Sequence, residues 1–401
     1  MAKIDHKAIH QALQRLGLVV LAAMLGLGIG EALLRVLYPR MVGSYQGLYA
    51  LDPDVGYKLW PGLDVLYATS EYRVPVRANH FGFRGREYPS DKPAGVYRIM
   101  ILGDSMVEAL QVPLEATFHQ QLEAQLNEGS GHRPVEVMAF GVGGYGLIQE
   151  YMAWRVYGRT IQPDLVILLS VSNDFESELA ALTYPISLAQ VRDLIQIRAA
   201  SLYGPWWAQW YRSLHVYTLL RNALYQDPRI RAASGRIAEW LFGGHGRQPW
   251  LQPDLWTSLV AGRSFDAAQE VIWEGYLRLV RELDLEVKAA GARLLVVSAP
   301  LSEQLNPQQL AVQLQLFRFD PQVAEPDRPD VLLGQRLEQS GVHYLSLAPY
   351  FRTSGSARSP LFFRYDRHWT AAGHQAVAEA LRRYLASHRN LFLLREKGPP
   401  S

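Results

Sequence analysis

At 401 residues the chain has length for one large domain plus an anchor, or for two modest domains. Its 49% apolar and 19% charged residues make an ordinary globular balance that excludes any sizeable disordered tract. A formal net charge of +2 gives no reason to expect a nucleic-acid partner, and the absence of cysteine rules out disulfides and thiolate chemistry.

The first element is apolar. Leu16 to Ile29 is an unbroken run of apolar residues and glycine, and the pattern resumes after Gly30 and Glu31 as far as Tyr38. Roughly 20 residues cross a bilayer, so residues 16–38 are expected to form a transmembrane anchor. Lys3, Lys7 and Arg15 precede the run and favour a cytoplasmic tail over residues 1–15, although Arg35 and Arg40 weaken the asymmetry. No small-x-small cleavage site closes the run, so a retained anchor is expected rather than a cleaved signal. Glu31 falls near the far end, where a carboxylate reaches headgroups or water; a functional intramembrane carboxylate is the alternative.

Residues 39–95 are a lead-in rich in Gly, Pro, Asp and Tyr, with no sustained period, and read as mostly irregular with short strands laid over the main domain. From Val96 the texture changes. Short apolar runs at 97–102, 135–140, 165–170, 293–298 and 343–347 read as buried strands. Helical spacing over 115–127, 147–159, 268–290, 330–340 and 370–386 places helices between and after them. Alternating strands and helices predict a parallel sheet covered on both faces, with any site beyond the carboxyl ends of its strands.

Residues 177–267 break the alternation and carry aromatic clusters, among them Trp206, Trp207, Trp210, Tyr211, Trp240 and Trp250. They form either a cap that borders the site or a helical embellishment packing its aromatics on itself. The main domain is expected over 96–390, with a tail from 391 to 401.

The residues just past each strand carry the chemistry. Gly103-Asp104-Ser105 ends the first, leaving a hydroxyl and a backbone N–H exposed at a helix start, where an oxyanion can bind; turns use the same residues. After the second, Gly141-Val-Gly-Gly-Tyr-Gly146 lets backbone approach a ligand, and lacks the spacing of a phosphate-binding loop. After the third, Asn173 offers a neutral amide donor, with an Asx turn or a cap by Asp174 as the plainer reading. Past the last strand, Asp366 and His368 lie two apart, so in extended chain both face one side and can act as carboxylate and base. No second His-rich pair stands at ligand spacing, so neither metal nor other cofactor is expected. His374, in the last helix, reads as structural, and His80, His119 and His343 have no partner at a telling spacing.

Taken in order, these four segments resemble the four blocks of the SGNH (GDSL-like) hydrolase superfamily, and Gly82-Phe83-Arg84 resembles the lead-in of its membrane-anchored bacterial members. The resemblance implies a flavodoxin-like three-layer α/β/α fold with a central five-stranded parallel sheet, an N-terminal transmembrane helix and a helical insertion. It also implies Ser105 as nucleophile, His368 as base and then acid, Asp366 as its orienting carboxylate, and an oxyanion hole of the Ser105 N–H, the Gly144 N–H and the Asn173 side chain. Three positions depart from the pattern. Ala139 stands where the glycine block has Asn, which puts the loop's anchoring contact in doubt. Ser172 replaces a common Gly, and Asp-x-His replaces Asp-x-x-His, a spacing similar to that of bacterial envelope polysaccharide acetylesterases and O-acetyltransferases. The implied activity is hydrolysis of an acyl, especially O-acetyl, ester of an envelope glycan or lipid-linked sugar at the periplasmic face of the inner membrane. Acyl transfer by the same triad and a non-catalytic envelope scaffold are the alternatives.

Overall fold

The computed structural model describes residues 6–38, 41–42, 47–69, 71–128, 133–175, 179–180, 182, 186–203, 210, 213–217, 219, 254–354, 360–388 and 390–392. Its strands in chain order are β1 (Met41–Val42), β2 (Tyr49–Asp52), β3 (Gly56–Leu59), β4 (Asp64–Ala68), β5 (Arg73–Arg77), β6 (Tyr97–Gly103), β7 (Val135–Gly141), β8 (Leu165–Ser170), β9 (Arg293–Ser298) and β10 (His343–Ser346). The last five are the five apolar runs, and they pair in parallel in the order β10-β9-β8-β6-β7. That is the doubly wound, flavodoxin-like order, and its strand order reverses at β6, between β7 and β8.

Alternation along each strand divides the core. Met100, Leu102, Val166, Leu168, Leu294 and Val296 face one way, against the helices Leu147–Ala153, Ala267–Ala289 and Arg328–Gln339. Ile99, Ile101, Ile167, Leu169, Leu295 and Val297 face the other, against Phe118–Leu126 and Ala371–Ser387. Each such side chain, buried fully, contributes about 1.5–3 kcal/mol, so the sheet's carboxyl edge is a rigid platform. The three-layer α/β/α arrangement implied by the sequence motifs is the one the chain adopts.

The lead-in is more regular than its sequence predicts. β2 and β3 form an antiparallel hairpin, while β4 pairs antiparallel with β5 and parallel with β1. Tyr49, Tyr57, Val74, Val76 and Phe83 join the core on the β6 face that holds Met100. A hairpin that must bury aromatics on a neighbour shows weak periodicity of its own, which is why the sequence reads as irregular. Arg98 on β6 is fully buried yet satisfied: Glu136 lies 2.7 Å away, and the carbonyls of Pro89, Ser90 and Ile161 accept from its guanidinium.

At the amino end stands one long helix, His6–Leu37. Its segment Gln14–Leu37, of 24 residues, is long and apolar enough to cross a membrane and none of its most apolar window is buried against the protein. Glu31 does not simply face outward: its carboxylate accepts the N–H groups of His215 (3.1 Å) and Val216 (2.9 Å) and pairs with Arg35 at 2.8 Å. Of the aromatics that mark the insertion, Trp206, Trp207, Tyr211, Trp240 and Trp250 lie outside the described residues, and Trp210 is exposed.

Candidate active site

Strand β6 ends in a turn so tight that it requires glycine beside it. A Cβ at Gly141, the last residue of β7, would lie 2.4 Å from Val107 Cβ and 2.9 Å from the Asp104 carbonyl. The turn leads into a single helical turn, Ser105–Glu108, whose N-cap Asp104 accepts the Met106 N–H at 2.9 Å. Ser105 is its first residue, so its N–H has no acceptor within the helix.

The carboxyl-terminal segment brings the base. Phe362 and Trp369 form an antiparallel bridge, the Phe363 N–H donates to the His368 carbonyl at 2.9 Å, and Trp369 is fully buried. His368 Nε2 lies 2.7 Å from Ser105 Oγ, and Nδ1 contacts Asp366 Oδ1. The pair does not meet through extended chain, as the two-residue spacing predicts. Arg367 between them sits at φ 66°, and the His368 N–H donates back to Asp366 Oδ1 at 3.3 Å. The Asp-x-His segment is therefore a turn, and the intervening residue absorbs its left-handed strain while its guanidinium pairs with Glu303.

Two residues invisible to motif reading hold this turn. Tyr72 donates its O–H to Asp366 Oδ2 at 2.6 Å, and the neighbouring Glu71 carboxylate accepts the N–H groups of Tyr365 (3.1 Å) and Asp366 (2.7 Å). Burial pushes the Tyr72 phenol far above its ordinary value, so it stays a donor. Both precede β5 in the lead-in, 294 residues from the turn, and no spacing rule connects them. A buried hydrogen bond to a carboxylate is worth about 1.5–3 kcal/mol, so Tyr72→Phe should lower kcat by roughly tenfold with KM little changed. Steady-state kinetics check this.

The electrostatics arise from the same contacts. Burial works against an imidazolium at His368, but the Asp366 carboxylate, with Asp104 behind it, outweighs this and lifts the group above 6.5. Burial likewise pushes Asp366 up, yet its bond and charge interaction with His368 and the Tyr72 O–H leave it below the usual carboxylate range. At Asp104 burial prevails and the carboxyl is raised.

Of the remaining sequence-predicted donors, Asn173 reaches the turn that carries Ser105. Asn173 lies just beyond β8, and its amide donates to Asp104 Oδ2 at 3.1 Å and to the Tyr145 carbonyl at 3.3 Å. The carboxylate of Asp104 is thereby shared between Asn173 and, at 3.4 Å, the Ser105 hydroxyl. Asp174 turns inward instead and accepts the Val171 N–H at 3.0 Å. Gly144 has φ 81°, a conformation that favours glycine. The anchor left in doubt by Ala139 is supplied from elsewhere: Tyr57 donates to the Gly143 carbonyl at 2.9 Å and Glu108 Oε2 accepts the Gly143 N–H at 2.9 Å. His374 is buried and accepts the Phe118 N–H at 3.3 Å, a structural role, and His80 pairs with Glu87 on the surface.

Residues 245–397 match the family ALGX, described as an SGNH hydrolase-like domain, acetyltransferase AlgX. That stretch holds Asp366 and His368, whereas Ser105, Gly144 and Asn173 precede it. No curated protein matches the chain. Solved structures similar to it include the acetyl xylan esterase AlAXEase (11% identity, 72% of this chain and 99% of that one covered, TM-score 0.37). They also include a lipase/acylhydrolase from Enterococcus faecalis (8% identity, 76% and 100% covered, TM-score 0.37). A third is LAE5, an α/β hydrolase enzyme from the metagenome of Lake Arreo, Spain (11% identity, 74% and 97% covered, TM-score 0.38).

Proposed function

We propose that this chain, whose residues 245–397 match an SGNH hydrolase-like domain, is a membrane-anchored serine esterase acting on an acyl, especially O-acetyl, ester of an envelope glycan or lipid-linked sugar. The observation that carries the reading is the 2.7 Å separation of Ser105 Oγ from His368 Nε2, with Asp366 on the opposite ring nitrogen.

Ser105 Oγ attacks the acyl carbon while His368 Nε2 takes its proton. Asp366 keeps Nδ1 protonated and stabilises the imidazolium. The Ser105 N–H, the Gly144 N–H and the Asn173 amide receive the oxyanion; for Asn173 the oxyanion displaces its longer bond, the 3.3 Å contact to the Tyr145 carbonyl. Collapse expels the sugar alkoxide, which regains the proton from His368. Water then attacks the acyl-enzyme with His368 again as base, releasing the acid and restoring Ser105. Loss of the Asn173 donor should cost about 100-fold in kcat, which Asn173→Ala measures directly.

The raised imidazole sets the pH profile. Protonated His368 has no lone pair on Nε2 to accept the serine proton, so activity is lost as pH falls through its pKa. The acid limb of kcat/KM should therefore have its midpoint above 6.5. A midpoint below that value would mean that Asp366 does not act on His368 in solution.

The family match favours a second reading, in which a sugar hydroxyl replaces water as acceptor of the acyl group, because the matched description names an acetyltransferase. Incubating the purified full chain in detergent with p-nitrophenyl acetate, with and without unacetylated oligosaccharides, tests both. Acetate alone identifies an esterase and an oligosaccharide heavier by one acetyl group identifies transfer. Absence of turnover on any acetyl ester counts against both.

A further inference from the structure

The glycine loop is held from behind by two buried groups that the reaction itself does not use. Gly143 is gripped at both ends: Tyr57 on β3 donates its O–H to the carbonyl at 2.9 Å, and Glu108 Oε2 accepts the N–H at 2.9 Å. A peptide unit is planar and trans, so the Gly143 C=O and the Gly144 N–H belong to one plane and point in opposite directions. Fixing that carbonyl against Tyr57 therefore fixes the direction in which the Gly144 N–H donates. Glu108 is itself positioned. It is 2% exposed, its Oε2 also accepts the Tyr49 O–H at 3.0 Å, and fully buried Arg84 reaches its backbone carbonyl at 3.4 Å. Tyr57 is tied in turn, since the Tyr145 O–H donates to its carbonyl at 2.5 Å. The space behind the loop is filled: a Cβ at Gly144 would lie 3.0 Å from the Tyr57 hydroxyl.

We infer that Tyr57 and Glu108 are the positioning residues of the oxyanion site, setting the Gly143–Gly144 peptide so that the Gly144 N–H meets the developing oxyanion. The inference rests on the serine-esterase reading and assigns the lead-in hairpin a part in it: β2 and β3 bring Tyr49 and Tyr57 under the loop. Burial outweighs the donors around Glu108 and raises its carboxyl to about 7, in keeping with a group whose task is to accept hydrogen bonds rather than to carry charge.

Positioning of a transition-state donor acts on kcat and leaves ground-state affinity alone. In the full chain in detergent, Tyr57→Phe removes one hydroxyl and keeps the ring, and should lower kcat on p-nitrophenyl acetate by about 10- to 100-fold with KM within about threefold. Glu108→Leu should lower kcat by on the order of 100-fold, whereas Glu108→Gln, which keeps an oxygen for Gly143 and Tyr49, should recover to within about tenfold of the wild type. Fluorophosphonate should still label both loss variants at Ser105, more slowly. A wild type that labels and turns over while Tyr57→Phe keeps its kcat, or loses only affinity, overturns the inference and leaves the esterase reading standing. A Gln variant as impaired as the Leu variant also overturns it. A wild type that neither turns over nor labels removes the esterase reading, and this inference with it.

Discussion

Ser105→Ala should reduce kcat/KM for ester cleavage by at least about 10⁴-fold, with KM nearly unchanged. The hydroxyl is the atom to which His368 is hydrogen bonded at 2.7 Å, and no other hydroxyl is placed against that nitrogen among the described residues. Its removal leaves the imidazole without a proton to accept and forces water to attack directly. The donor array and substrate binding survive, and in serine hydrolases these retain a fraction of the rate. Measuring kcat and KM on p-nitrophenyl acetate distinguishes this from a binding defect. A loss shared equally by KM, or a fall of only a few-fold, would place the nucleophile elsewhere.

Asp366→Asn should cost roughly 10³- to 10⁴-fold in kcat and also move the acid limb of the pH profile downward. Asp366 does two things in this geometry. It accepts from Nδ1, fixing the tautomer that leaves Nε2 basic toward Ser105, and its charge offsets the burial that otherwise depresses the imidazole. The amide removes the charge and can present an N–H to Nδ1, inverting the tautomer. With only Asp104 left to oppose burial, the His368 midpoint should fall toward 6.5. A slow variant with an unmoved acid limb would show that another group titrates there.

The fold is legible in the sequence because its signals are local. The sheet strands lie in short apolar runs, buried along nearly their whole length in β6 to β9, and Ser105, the glycine loop and Asn173 stand immediately after β6, β7 and β8, where a parallel sheet puts a site. Ser105 and Asn173 come directly after β6 and β8, the adjacent strands at the reversal of order, so their convergence is a consequence of topology. The supports are not legible. Glu71, Tyr72, Tyr57 and Glu108 act through contacts 35 to 295 residues away in sequence, and a tyrosine under a loop has no spacing signature. Replacement of the expected Asn by Ala139 looks like a missing anchor because the compensating Tyr57 and Glu108 arrive from two other segments. The Asp-x-His pair is visible in the sequence, but through an extended geometry that the left-handed Arg367 replaces; a positive φ on a non-glycine residue leaves no mark in sequence. Glu31 reads as a residue facing headgroups, whereas it accepts two N–H groups from the insertion.

The most direct measurement is the mass of the peptide modified when the purified full chain is treated with a fluorophosphonate. A hydroxyl activated by His368 should take up one phosphonyl group per chain on the peptide bearing Ser105, and His368→Ala should abolish the adduct. Stoichiometric modification of a different peptide, or none from a chain that is folded, would contradict the assignment of that serine as nucleophile.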